Sequence, residues 1–313
     1  MPIDPVIQAM MDSLAAAGVP PIHSLSVDKA RAQVRALEGV AAGAPPDVAS
    51  IHDFSIPSSN GAIPARLFRP AGPSAGVIVY FHAGGWVLGD LESAALQLYW
   101  LVHATRCALL SVAYRLAPEH RFPAAVDDAC AALTWAAENK AVLAGSDVPL
   151  IVAGESAGAN LAAVACIDAR DRGKSNVALQ VLLYPVTDSD LTRSSYEEFA
   201  AGYLLERSTM AWFWNHYAPD ARARSDPRAA PILASNFAGL PPAFIQTAEC
   251  DPLRDEGEAF GAKLRQAGVD VRAQRRTGLI HGYASFVTVS PAATAAMQDV
   301  ADAITDCVLS QRS

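Results

Sequence analysis

The chain is short of basic residues: 24 Lys and Arg stand against 32 Asp and Glu, a net charge of −8 over 313 residues. Phosphate backbones demand clustered Lys and Arg, so nucleic acid is excluded as an expected partner. The same shortage argues against electrostatic binding to an anionic membrane, and no apolar run approaches the ~18 residues of a membrane span. Cysteines are few. Cys107, Cys130, Cys166, Cys250 and Cys307 are odd in number and lack C-x-x-C spacing, so they read as small apolar residues in a reducing compartment. The opening residues have no basic stretch ahead of an apolar core, hence no secretory signal, and the cytoplasm is the default location. Neither H-E-x-x-H nor a Cys/His cluster is present to hold a metal. Gly84, Gly85 and Gly89 lack the G-x-G-x-x-G spacing of a dinucleotide site, and no cofactor is expected. Internal repeats and low-complexity tracts are missing too. What remains is a globular composition, 51% hydrophobic and 18% charged, with ample material for a core.

The order of elements narrows the fold class. Asp4-Pro5 supplies an N-cap with Pro at the first helical position, leading through Ile7, Met10, Met11 and Leu14 to Gly18. A second helix is expected over 27–37, and Gly43-Ala44-Pro45-Pro46 breaks the chain. Strands follow at 51–56, 63–68 and 77–81. Helices are expected near 93–105, 124–138, 157–170, 256–266 and 292–309, alternating with strands at 108–112, 150–153, 179–184, 243–247 and 271–275. Such alternation implies an α/β fold, a mostly parallel sheet covered on both faces. The segment 188–231 interrupts it. Tyr196, Phe199, Tyr203, Trp212, Phe213, Trp214 and Tyr217 crowd there without a strand-like run, which reads as a helical lid inserted between strands. The expected organisation is an N-terminal helical part (1–47), a body in two pieces (48–187 and 232–313), and the insertion (188–231) between them.

Gly154-Glu155-Ser156-Ala157-Gly158 follows the apolar run Pro149-Leu150-Ile151-Val152-Ala153 and precedes a small-residue helix. G-x-S-x-G is the spacing of a sharp strand-to-helix turn that presents a strained serine to a helix N-terminus, where developing negative charge is favoured. A serine hydroxyl is a weak nucleophile and needs a base, a group to orient that base, and oxyanion donors. Only His216 and His281 follow Ser156. His281 lies between an expected strand and a glycine; His216 sits among the insertion's aromatics and reads as a packed lid residue. Asp251, before Pro252, is the natural loop position for the acid, with Glu249, Asp255 and Glu256 as rivals. The last two read more simply as first-turn acids of a helix. Phe81-His82-Ala83-Gly84-Gly85-Trp86, after a buried strand, fits a loop that points N–H groups at a carbonyl.

Taken together, His82-Ala83-Gly84-Gly85-Trp86, Gly154-Glu155-Ser156-Ala157-Gly158 and the stretch from Tyr114 to Ala125 resemble the hormone-sensitive lipase family of esterases, within the α/β-hydrolase fold. Leu183-Tyr184-Pro185, the run from Asp251 to Glu256, and His281-Gly282-Tyr283 extend the resemblance over most of the chain from about Val48. It implies a helical cap, a serine carboxylesterase acting through an acyl-enzyme, and a small-molecule ester of short to medium chain as substrate. Ser156 would be nucleophile, His281 base and Asp251 orienting acid; the backbone N–H groups of Gly84, Gly85 and Ala157 would form the oxyanion hole. Met10, Met11, Trp86, Trp212, Phe213 and Trp214 are candidate walls of an apolar substrate pocket. Ala83 departs from the family's H-G-G-G, and Glu155 stands where Asp or Thr is usual. Members are often dimers, and strand 271–275 near a sheet edge is a candidate for pairing across a two-fold axis. Two other readings share the motifs: a receptor that reuses the fold, as plant gibberellin receptors do after losing the histidine, and amide hydrolysis or acyl transfer with the same triad.

Overall fold

The computed structural model describes residues 2–37, 46–174 and 176–311. Two helices come first, α1 (Pro5–Ala16) and α2 (Val27–Leu37). Asp4 caps α1, its carboxylate accepting from the N–H groups of Val6 and Ile7. The expected break at Gly43, Ala44 and Pro45 lies outside the described residues. Then come β1 (Ser50–Ile56), β2 (Ile63–Arg69), β3 (Val77–Phe81), α3 (Ala95–Thr105), β4 (Ala108–Val112), α4 (Ala124–Glu138), α5 (Lys140–Ala144), β5 (Leu150–Glu155), α6 (Ala157–Asp171) and β6 (Val177–Leu183). The segment 188–231 carries α7 (Ser194–Glu198), α8 (Arg207–Tyr217) and α9 (Ala221–Arg224) and no strand. The chain closes with β7 (Ala243–Cys250), α10 (Arg254–Gln266), β8 (Val271–Ile280) and α11 (Pro291–Ser310).

The eight strands form one sheet in the order β1-β2-β4-β3-β5-β6-β7-β8, in which β2 alone runs against the others. This is the α/β-hydrolase fold. Side chains of a strand alternate between faces, and β3 feeds two separate cores accordingly: Val77, Val79 and Phe81 pack on the side of α4 and α6, Ile78 and Tyr80 on the side of α3 and α11. Because both faces are covered, central strands read as continuous apolar runs.

Two differences from the expected elements matter. Lys140–Ala144 forms a short helix that its few residues did not announce, stopped by Gly145 in the left-handed region. β7 and β8 also run further than expected. Beyond Thr247 and Arg275 their sequences turn polar or glycine-bearing, yet pairing persists through a register shift to Cys250 opposite Ile280. The next residue of each strand, Asp251 and His281, therefore leaves the sheet beside the other.

Candidate active site

Ser156 follows β5 directly and has φ 54° and ψ −119°, a backbone conformation that costs a non-glycine residue ~1–3 kcal/mol. Three hydrogen bonds hold it there: its N–H donates to the Leu183 carbonyl (2.9 Å), and its own carbonyl accepts from Asn160 (3.1 Å) and Val186 (3.2 Å). The flanking glycines are demanded by contact. A Cβ on Gly154 would lie 2.4 Å from the Gly158 carbonyl, and one on Gly158 would lie 2.0 Å from the carbonyl oxygen of Phe81. The turn is thus tight enough to set α6 against β3 and to leave Ser156 at the N-terminus of α6.

His281 Nε2 stands 3.0 Å from Ser156 Oγ, and His281 Nδ1 stands 2.8 Å from Asp251 Oδ2. A carboxylate only accepts, so Nδ1 carries the proton in the neutral ring and Nε2 faces the hydroxyl as acceptor. Asp251 is fully buried, and its other oxygen accepts from the Leu253 N–H at 2.9 Å. The rival acids are engaged elsewhere. Glu249 accepts from the Gly278 N–H (2.8 Å), Asp255 from Ser195 (2.9 Å), and buried Glu256 from Thr187 (2.7 Å) and Tyr196 (3.1 Å). His216 Nδ1 turns to the Trp212 carbonyl, 2.8 Å away.

The loop after β3 curls above Ser156. Gly84 has φ 117° and Gly85 φ 59°, and a Cβ on Gly84 would lie 2.1 Å from the Leu88 carbonyl oxygen. Ala83 lies outside the left-handed region that would require glycine. Its carbonyl sits 2.7 Å from His82 Nδ1, and the Tyr114 phenol donates to the His82 carbonyl (2.8 Å). Burial pushes the His82 imidazole below its ordinary pKa, so it serves this loop as a neutral ring. The N–H groups of Gly84, Gly85 and Ala157 find no acceptor among the described residues.

A cavity of about 600 Å³ opens over these groups. Gly84, Gly85, Ser156 and His281 line its floor, Met10 and Leu14 of α1 one wall, and Leu205 and Phe213 of the insertion another. A more voluminous groove of about 930 Å³ over α4 and α6 contains none of the floor residues, so volume alone does not mark the site. The expected aromatic wall needs correction. Only Phe213 of the four aromatics faces the cavity, its ring so close that a Cβ on Gly85 would lie 2.2 Å away. Trp86 and Trp214 are fully buried beneath the loop, where Trp86 stacks on Tyr217 at 4.1 Å, and Trp212 packs on His216. Successive helical residues point ~100° apart, so 212, 213 and 214 do not share a face. Met11 is likewise absent from the cavity lining.

Sequence reasoning passed over Tyr184. This buried residue, with φ 35°, stands edge-on to the His281 ring at 4.8 Å. The signal available was its place in Leu183-Tyr184-Pro185, directly after a strand. Among the described residues, no group of three or more His, Cys, Asp or Glu side chains is arranged to hold a metal, and no helix is long and apolar enough to cross a membrane.

The chain matches the family model of the alpha/beta hydrolase fold over residues 78–285. It is 38% identical over 314 aligned residues to the carboxylic ester hydrolase LipN of Mycobacterium tuberculosis, covering 96% of this chain and 82% of that one. With the ethyl acetate hydrolase of Pseudomonas putida it shares 36% identity, covering 88% and 89% of the two chains. The crystal structure of a thermostable esterase from Pseudomonas putida ECU1011 superposes with a TM-score of 0.94 at 35% identity, covering 98% of each chain. With its nucleophile-elbow geometry, sheet order and these likenesses, the chain belongs to the α/β-hydrolase family, among the hormone-sensitive-lipase-like esterases that its motifs resemble.

Proposed function

We propose that this protein is a serine carboxylesterase that hydrolyses short to medium chain carboxylic esters through an acyl-enzyme. Ser156 is the nucleophile, His281 the base and Asp251 the acid that orients it. The single observation that carries this reading is the continuous hydrogen-bonded line Ser156–His281–Asp251, at 3.0 and 2.8 Å, opening into an apolar cavity.

As Ser156 Oγ attacks the ester carbonyl, its proton passes to His281 Nε2, and buried Asp251 stabilises the resulting imidazolium. The N–H groups of Gly84, Gly85 and Ala157 receive the oxyanion, each in a fixed backbone position before reaction begins. The imidazolium then protonates the departing alcohol. Water activated by the same ring cleaves the acyl-enzyme and returns the proton to Ser156. Residues 1–47 and 188–231 act as a two-part cap over the body formed by 48–187 and 232–313, a division supported by cavity walls drawn from α1 and the insertion. A cavity of this size supports substrates of modest length, as do relatives named for carboxylic ester and ethyl acetate hydrolysis. The edge position of β8 supports pairing of two copies across a two-fold axis, which sedimentation at working concentration tests.

Hydrolysis of p-nitrophenyl esters from acetate to palmitate, with Ser156→Ala alongside, tests the function. The expected result is a maximum at short or medium chains and a loss of several orders of magnitude in the variant. Full activity in folded Ser156→Ala refutes the nucleophile, and rates rising steadily to palmitate refute the substrate class.

A further inference from the structure

Glu155 ends β5, one residue before Ser156, and is 3% exposed. Its carboxyl has no Lys or Arg partner among the described residues. The Gln97 amide of α3 donates to Oε1, and the Tyr184 phenol donates to Oε2 at 2.6 Å. A buried carboxylate without a cation opposes folding, and a glutamine of similar volume would be easier to bury. The contacts therefore call for an account other than stability.

The Tyr184 contact leads to the base. Tyr184 presents its ring edge to His281 at 4.8 Å and 63°, and is itself held by the Gln246 carbonyl (2.6 Å to its N–H) and by the ring of Tyr283 at 5.0 Å. One carboxyl thus ties α3, through Gln97, to the ring that meets the base. We propose that Glu155 is a positioning residue of this active site, its carboxylate bracing the Tyr184 ring against His281. This rests on the reading of Ser156, His281 and Asp251 given above.

Burial pushes the Glu155 carboxyl up, while Tyr184, Tyr80, the charge of His281 and the Ala83 backbone act in the opposite direction. The other titratable groups that feel it are Tyr80 of β3, Tyr114 before α4, Tyr184 after β6, and Tyr283 after β8. All are buried phenols pushed up by burial, and all stay neutral through the working range.

Glu155→Gln offers an amide nitrogen on one side, so either the Gln97 amide loses its acceptor or the Tyr184 phenol must turn from donor to acceptor. Its kcat for p-nitrophenyl acetate is expected to fall roughly 10- to 100-fold, with KM within about threefold, as for displacements of reacting groups by a fraction of an ångström. The melting temperature should hold or rise. Tyr184→Phe keeps the carboxylate and removes one strut; a kcat loss of about threefold or more is expected from the looser base. Wild-type kcat in Glu155→Gln, or a loss confined to KM, overturns the proposal; should that variant not fold, wild-type kcat in Tyr184→Phe overturns it. Phosphorylation by diethyl p-nitrophenyl phosphate, located by peptide mass, separates this idea from the one beneath it. No label on Ser156 in the wild type refutes the triad and this proposal with it. Equal labelling rates in wild type and Glu155→Gln overturn this proposal alone.

Discussion

Gly158→Ala measures how tightly the nucleophile turn is clamped. The added Cβ would lie 2.0 Å from Phe81 O, 2.5 Å from Phe81 C and 2.6 Å from His82 O. All three are backbone atoms at the end of β3, so no side chain can swing aside. Real Cβ atoms essentially never approach closer than 3.0 Å, and α6 must retreat by about 1 Å. Overpacking of this kind costs ~3 kcal/mol, whereas alanine in place of helical glycine returns ~1 kcal/mol. The steric term wins by ~2 kcal/mol, a fall in Tm of ~4 °C for a chain of this length. Activity should suffer more. Ser156 heads the displaced helix while Gly84 and Gly85 stay with β3, so a 1 Å mismatch between attacking oxygen and oxyanion donors lowers kcat ~100-fold. Gly268→Ala is the control: its φ is +82° with nothing within 4 Å of the added carbon. It should lose ~1 kcal/mol from backbone strain and keep wild-type kcat. Thermal melts and p-nitrophenyl acetate turnover on the two variants decide the matter. A Gly158→Ala protein with wild-type Tm and kcat would refute the close approach of α6 to β3 as the determinant of the site.

Two further outcomes follow from charge and burial. Arg31 of α2 grips Glu119 with two hydrogen bonds (2.7 and 2.8 Å) and holds its carboxyl at about 2, well below the usual carboxylate range. The stabilisation is therefore complete above about pH 4.5 and lost as pH falls towards 2. Glu119 is 53% exposed, so urea titration of wild type against Glu119→Gln should differ by ~1 kcal/mol or less at neutral pH and converge near pH 2; a difference that persists there refutes the assignment. Burial pushes the Cys130 thiol up to about 12 and that of Cys166 further. Iodoacetamide near pH 8 should leave both unmodified in native protein and alkylate them in denaturant; native labelling of Cys166 at the rate of a free thiol would count against the packing of α4 on α6.

Much of the fold was legible because local chemistry and tertiary placement agree. Apolar runs such as Val77–Phe81 have one solution, a central strand covered on both faces, and Asp4-Pro5 and Gly154-x-Ser156-x-Gly158 mark a helix start and a tight turn by residue type alone. Legibility failed where position depends on partners distant in sequence. The later halves of β7 and β8 carry no strand signal of their own; they persist because each pairs with the other. Trp212, Phe213 and Trp214 are equivalent in composition, yet helix geometry turns Phe213 to the cavity and buries Trp214 under the loop.

The acid illustrates the boundary most clearly. By itself the sequence determined the class of fold, the serine turn and, in a short set of acids after one strand, Asp251 as the natural loop position, since these depend on residue type and neighbours a few positions away. The meeting of that acid with His281 was decided only by tertiary structure. Cys250 pairs with Ile280 across two parallel strands, so that Asp251 and His281, 30 residues apart, emerge side by side while Glu249, Asp255 and Glu256 are drawn to other partners. The surroundings of Glu155 are of the same kind: its partners come from α3 and the segment after β6, and only packing brings them to one carboxyl.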